Sequence, residues 1–127
     1  MKNSYLRQAQ TDHIKTICEQ APTPTYVIDQ NLLSKNLSIL HKIQQETAAK
    51  ILLALKGYAA YATFPLLKTV LHGVCASSVN EALLGREEFN KEVHVYSPAY
   101  KPEDITAIRV ATGEADDKKK HMGYFCM

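Results

Sequence analysis

The stretch ILLALKG, residues 51–57, decides the fold. Ile51 to Leu55 form a continuous apolar run, too short for a typical helix and too uniform for a strand with one wet face. It fits a strand buried on both sides, as in a parallel sheet, with Lys56 and Gly57 closing it. Working outward, Gly73-Val74-Cys75-Ala76 is a second buried strand and Val93-His94-Val95-Tyr96 a third. Between the first two, Ala59 to Leu71 reads as helical, with Phe64, Leu67 and Leu71 on one side. Pro65 must kink that helix or begin its second part. Ser78-Val79-Asn80-Glu81 is a capping-box pattern that opens another helix through about Phe89. Pro102 suits a helix first turn, and Glu103 and Asp104 suit the positive end of its dipole. Strands that each lead into a helix imply parallel pairing through right-handed crossovers. The class is therefore α/β, either the beginning of a barrel or of an open doubly wound sheet.

Upstream, Thr25-Tyr26-Val27-Ile28 reads as a brief strand entered from Pro24. Asp29 is a credible N-cap for an amphipathic helix to about Thr47. Leu33, Leu37, Leu40 and Gln44 mark its inner face, and Leu32, Ile39 and Ile43 widen that face. Residues 1–24 form a polar lead-in, with Ile14, Ile17 and Cys18 on one side of a short helix. Downstream of Ile108 the character changes. Residues 109–121, RVATGEADDKKKH, hold no sustained apolar period, and no fourth strand appears where the rhythm calls for one. The chain thus reads as a lead-in over 1–24, an α/β segment over 25–108 and a divergent, disordered tail over 109–127. A (β/α)8 barrel takes about 250 residues, so about three βα units would leave most of one missing.

Composition narrows the function. With 127 residues the length suits one domain, and 46% apolar residues suffice for a core. The net charge of +2 is spread along the chain, against a nucleic-acid surface or a polybasic membrane anchor. No apolar run approaches a membrane span, and the N-terminus is too polar for a secretory signal. Cys18, Cys75 and Cys126 are odd in number and far apart, and the histidines lack ligand spacing. Neither a disulfide framework nor a metal site is expected, and a cytoplasmic setting is the default.

Lys56 is the residue to weigh first for chemistry. It stands at the C-terminal end of a strand, where α/β folds place their sites. A lysine partly withdrawn from water is a better amine nucleophile, as Schiff-base chemistry with an aldehyde cofactor requires. On pattern alone, a lysine that ends a strand more often just reaches into solvent. Ser77 and Ser78 follow the second strand at the same end of the sheet. Their hydroxyls suit a ligand, while Ser78 equally suits a helix cap with Glu81 as its reciprocal partner. His94 and Tyr96 share one face of the third strand. Cys75 reads as core and Lys118-Lys119-Lys120 as a solvated run.

Together these stretches resemble a known family. TPTYVID (23–29), KILLALKGYAAYATFPLLKTVLHGVCASSVNEALLGREEF (50–89) and EVHVYSPAYKPEDI (92–105) are similar to the start of carboxynorspermidine decarboxylases. These are alanine-racemase-like, fold-type III enzymes related to the ornithine and diaminopimelate decarboxylases. The resemblance covers about Pro22 to Ile108. It implies the N-terminal part of a (β/α)8 barrel that binds pyridoxal 5'-phosphate, with Lys56 holding the cofactor and Ser77 and Ser78 near it. The implied reaction is loss of carbon dioxide from carboxynorspermidine or carboxyspermidine, giving norspermidine or spermidine. A homodimer is implied as well. The family's glycine-rich phosphate segments, pyridine-nitrogen acid and C-terminal β domain have no counterpart here, so a truncated, inactive fragment is expected. A fragment of a diaminopimelate or ornithine/arginine decarboxylase, or a non-catalytic barrel that carries the same cofactor, is the alternative.

Overall fold

The computed structural model describes residues 11–12, 14–112 and 123–125. The chain divides into two compact units, Met1–Leu33 and Ser34–Met127. In the first, residues 14–20 are helical. Thr25–Ile28 is not a strand, and Tyr26, Val27 and Ile28 are exposed. The expected strand fails because a β-prone composition makes a strand only where a neighbour bonds it, and this unit has no strand among its described residues. Asp29 caps α1 (Gln30–Thr47) as expected, its Oδ1 accepting from the Asn31 and Leu32 amides at 2.8 and 3.1 Å.

Within the second unit, α1 buries Leu37 and Gln44, while Ile39 and Ile43 are exposed. The inner stripe is narrower than the periodicity suggested. Among the described residues four parallel strands follow in the order β1 (Leu52–Ala54), β2 (Gly73–Ala76), β3 (Glu92–Val95) and β4 (Gly123–Phe125). Pro65 begins rather than kinks its helix: a 3-10 turn at Tyr61–Thr63 leads into α2 (Phe64–Leu67), with the proline in the first turn. The next helix, α3 (Val79–Leu84), continues as a π-helical turn over Gly85–Phe89 and stops at Asn90, whose φ of 54 is the left-handed conformation asparagine tolerates. Gly85 is required there, because a Cβ would run into the Val74 side chain. Finally α4 (Pro102–Thr112) has Pro102, Glu103 and Asp104 in its first turn.

β4 and the last turn of α4 were not read from the sequence. Three residues, Gly-Tyr-Phe, are too few to show a period, and α4 runs on to Thr112 through the stretch read as tail. Residues 113–122, with the lysine run, lie outside the described residues.

The core lies on one side of the sheet. Leu55, Val74, Ala76, Val93 and Val95 are buried there with Phe64, Leu67, Ala82, Phe89 and Ile108. The Phe64 and Phe89 rings meet edge to face at 5.2 Å. Register fixes the other side row by row. Leu52, Gly73 and Glu92 are lateral partners, as are Ala54, Cys75 and His94. Alternation places these residues opposite Val74 and Val93, and apart from Gly73 none of them is buried. One face is thus packed by helices and the other is left open. Cys75 belongs to the open face rather than the core.

Candidate active site

The C-terminal ends of β1, β2 and β3 converge on one rim, and the three segments that leave it carry the polar residues singled out above. β1 pairs with β2 up to the Leu55 amide, which donates to the Cys75 carbonyl at 3.0 Å. The chain then turns at once, with the Ala54 carbonyl accepting from the Gly57 and Tyr58 amides at 3.0 and 3.1 Å. Lys56 is at the crest of that turn and is exposed. The expected partial burial is absent, because the turn lifts Lys56 clear of the sheet. A Cβ at Gly57 would make ordinary contact with the Ala54 carbonyl, at 3.6 Å.

Ser77 and Ser78 follow β2 and open α3. Ser78 is its N-cap: Oγ accepts from the Glu81 amide at 3.2 Å. Glu81 closes the box, though one residue further back than the pattern suggests, since its Oε2 accepts from the Ser77 amide at 2.7 Å. Both serines also line a cleft of about 380 Å³ together with Asn80, Ser97, Tyr100 and Asp104. The structure therefore brings Ser77 and Ser78 together at this cleft and leaves Lys56 outside its lining. Ser97, Tyr100 and Asp104 were missed in the sequence. They stand after β3 and in the first turn of α4, and only the parallel register shows that they meet the start of α3.

His94 and Glu92 lie on the open face below the rim. His94 Nε2 is 3.3 Å from Glu92 Oε2, and Glu92 Oε1 accepts from Lys50 Nζ at 2.8 Å. The Lys50 bond, and after it the His94 bond, holds the Glu92 carboxyl below its usual range. The i, i+2 spacing of Glu92 and His94 was the available signal for this pair, and Lys50 was invisible to it. Tyr96 lies just beyond β3, exposed, although its amide still bonds the Ala76 carbonyl at 3.0 Å.

No protein-family model matches the chain. A curated protein from Synechocystis sp., named carboxyaminopropylagmatine decarboxylase, is 48% identical over 87 residues, 68% of this chain. The carboxynorspermidine/carboxyspermidine decarboxylase of Campylobacter jejuni is 37% identical over 90 residues, 71% of this chain. The one from Herminiimonas arsenicoxydans is 36% identical over 86 residues. The crystal structure of the Campylobacter jejuni carboxynorspermidine decarboxylase, complexed with norspermidine, superimposes with a TM-score of 0.69 and 35% identity over 72% of this chain. Over this stretch the chain is similar to decarboxylases named for carboxylated polyamines. It spans 22–24% of the length of these curated relatives and 25% of the solved chain. The open-faced parallel sheet is the N-terminal part of the decarboxylase fold. Among the described residues no helix is long and apolar enough to cross a membrane, and Cys18 and Cys75 are free thiols.

Proposed function

We propose that this chain supplies the lysine-bearing part of a pyridoxal-phosphate-dependent decarboxylase of carboxylated polyamines, with carboxynorspermidine or carboxyspermidine as substrate. The likeness to decarboxylases over about two thirds of the chain carries the reading, together with the position of Lys56 at the rim of an open-faced sheet. On this reading the sheet is the first part of a (β/α)8 barrel, its open face the barrel interior, in a cytoplasmic homodimer.

The residues present fit the cofactor. Lys56 offers an exposed primary amine at the C-terminal rim, the nucleophile that an aldehyde needs. Bound pyridoxal phosphate supplies an electron-accepting ring for the electron pair left behind by departing carbon dioxide. Lys56 would tether the cofactor and give way to the amine of the substrate. Ser78 uses an Oγ lone pair on the Glu81 amide, and its hydroxyl proton is suited to donate to a ligand oxygen. Ser77 lines the same cleft.

A second substrate reading rests on one observation. The relative named for carboxyaminopropylagmatine is 48% identical, against 36–37% for those named for carboxynorspermidine and carboxyspermidine. It favours a substrate that ends in a guanidinium group.

The test is borohydride reduction of the intact protein with pyridoxal phosphate, followed by peptide mass analysis. Phosphopyridoxyl on the Lys56 peptide is expected, and Lys56→Ala should abolish both label and carbon dioxide release. Label on Lys50 or Lys68 instead would remove the assignment. Carbon dioxide release from the competing substrates, measured side by side, separates the two readings.

A further inference from the structure

We infer that the cleft between the starts of α3 and α4 takes the distal cationic end of the substrate, with Asp104 as its counter-charge; this deepens the function proposed above and rests on it for the reacting end.

The cleft holds about 380 Å³, room for a small ligand or for one end of a longer one. Its polar residues are Ser77 and Ser78 after β2, Asn80 in the first turn of α3, Ser97 after β3, and Tyr100 and Asp104 around the start of α4. Asp104 is the one charged residue that lines it among the described residues, and it is half-buried. Its Oδ2 accepts from the Lys101 amide at 3.1 Å, and among the described residues no cation is paired with the carboxylate. The nearby carboxylate of Glu81 is already held by the Ser77 amide at 2.7 Å.

This donor set suits a cation. An ammonium or guanidinium group only donates hydrogen bonds, and the Asp104 carboxylate, the serine hydroxyls and the Asn80 carbonyl oxygen can all accept them. An anion is disfavoured, because Asp104 itself stands at the helix start where an anion would otherwise be held. Val79 and Ala99 add apolar surface against which a methylene chain can lie.

The reach suits a polyamine. The Leu55 amide bonds the Cys75 carbonyl, so Lys56, next in the chain, is one strand over from Ser77, which lines the cleft. Neighbouring strands stand about 4.8 Å apart. Nitrogens joined by three methylenes are about 5 Å apart by ordinary bond lengths. A chain with its reacting amine at Lys56 therefore carries its next cationic centres across the end of β2 towards Asp104.

Binding is read first, by calorimetry on the intact protein with norspermidine and agmatine as probes, the first ending in an ammonium group and the second carrying a guanidinium. Asp104→Asn keeps an oxygen for the Lys101 amide, so α4 retains its cap, and an unchanged unfolding midpoint checks this. The variant is expected to weaken binding of at least one probe by about tenfold or more, and the probe that loses more identifies the terminal group. Wild type that binds neither probe, or binding that is equal in wild type and Asp104→Asn, overturns the inference. So does inorganic phosphate binding that tightens in Asp104→Asn, which would make the cleft an anion site. The second readout separates substrate from cofactor. Asp104→Asn should raise KM for the carboxylated polyamine by about tenfold or more, while borohydride still traps pyridoxal phosphate on Lys56. Loss of that label in the variant would give the cleft to the cofactor and overturn the inference. If the wild type never labels Lys56, the proposed function fails, and the probe titrations alone decide whether the cleft binds cations through Asp104.

Discussion

Gln44 Oε1 lies 2.8 Å from His72 Nδ1, a contact between residues 28 positions apart in the sequence. The same oxygen accepts from the Ile51 amide at 3.0 Å, and Gln44 Nε2 donates to the Val70 carbonyl at 3.1 Å. The amide orientation is therefore fixed from both ends, and His72 must donate from Nδ1. One buried side chain ties the end of α1 to the chain just before β1 and just before β2.

Replacing that side chain should be costly. Gln44→Leu leaves the Ile51 amide and the Val70 carbonyl short of partners in a site where Gln44 is only 7% exposed. Each unmet buried group costs about 1–3 kcal/mol, so a loss of about 3 kcal/mol is expected in urea unfolding. Gln44→Glu keeps the acceptor and loses the donor, and should fall between. A Leu variant as stable as wild type would show that water replaces the amide.

Gln44 also shows where the sequence could be read and where it could not. The 3.6-residue period placed it on the inner face of α1 together with Leu37, and both are buried. Nothing local said that an amide was needed there, because its partners come from segments that meet only after folding. The three strands, the Asp29 and Ser78 caps and Pro65 at a helix start were legible because each depends on neighbours in sequence, but burial of β1 on both sides was not borne out, since Ala54 is exposed. Thr25–Ile28, β4 and the exposure of Ile39 depend on what packs alongside, and were not. That Lys56, Ser77 and Ser78 stand just after strands was legible, whereas a cofactor role for them came only from the resemblance. The Lys50–Glu92 bond reaches from ahead of β1 to β3 and emerges only from the register.

Ser78 has two readings that one substitution separates. As an N-cap alone, Ser78→Ala should lower stability by about 1 kcal/mol. As a ligand contact, it should also weaken pyridoxal phosphate binding by more than that loss explains. Comparing the unfolding midpoint with cofactor titration decides between them, and mainly the stability loss is expected.

Ala48 ends α1 with φ of 56, and its amide bonds the Gln44 carbonyl at 2.9 Å. A Cβ in left-handed backbone costs about 1 kcal/mol, which glycine does not incur. Glycine is more flexible when unfolded, which offsets part of the gain. Ala48→Gly should therefore raise stability by about 0.5 kcal/mol, with the denaturant midpoint rising and the slope unchanged. A lower midpoint would mean that the Ala48 methyl makes contacts that outweigh the strain.

Glu92 gives the fold a pH dependence of definite sign. Its carboxyl is held below the usual carboxylate range, chiefly by the Lys50 bond and then by His94. A carboxyl whose folded pKa lies below its unfolded one contributes stability that is complete above the unfolded value. That contribution is lost as pH falls through the folded value. Unfolding midpoints should therefore drop on acidification below about pH 4.5, more steeply in wild type than in Glu92→Gln. The Lys50 side chain is 60% exposed, so added salt should shrink this difference between wild type and variant. Equal slopes for wild type and Glu92→Gln at low salt would mean that the Lys50–Glu92 bond, although 2.8 Å long, is replaced by water without cost.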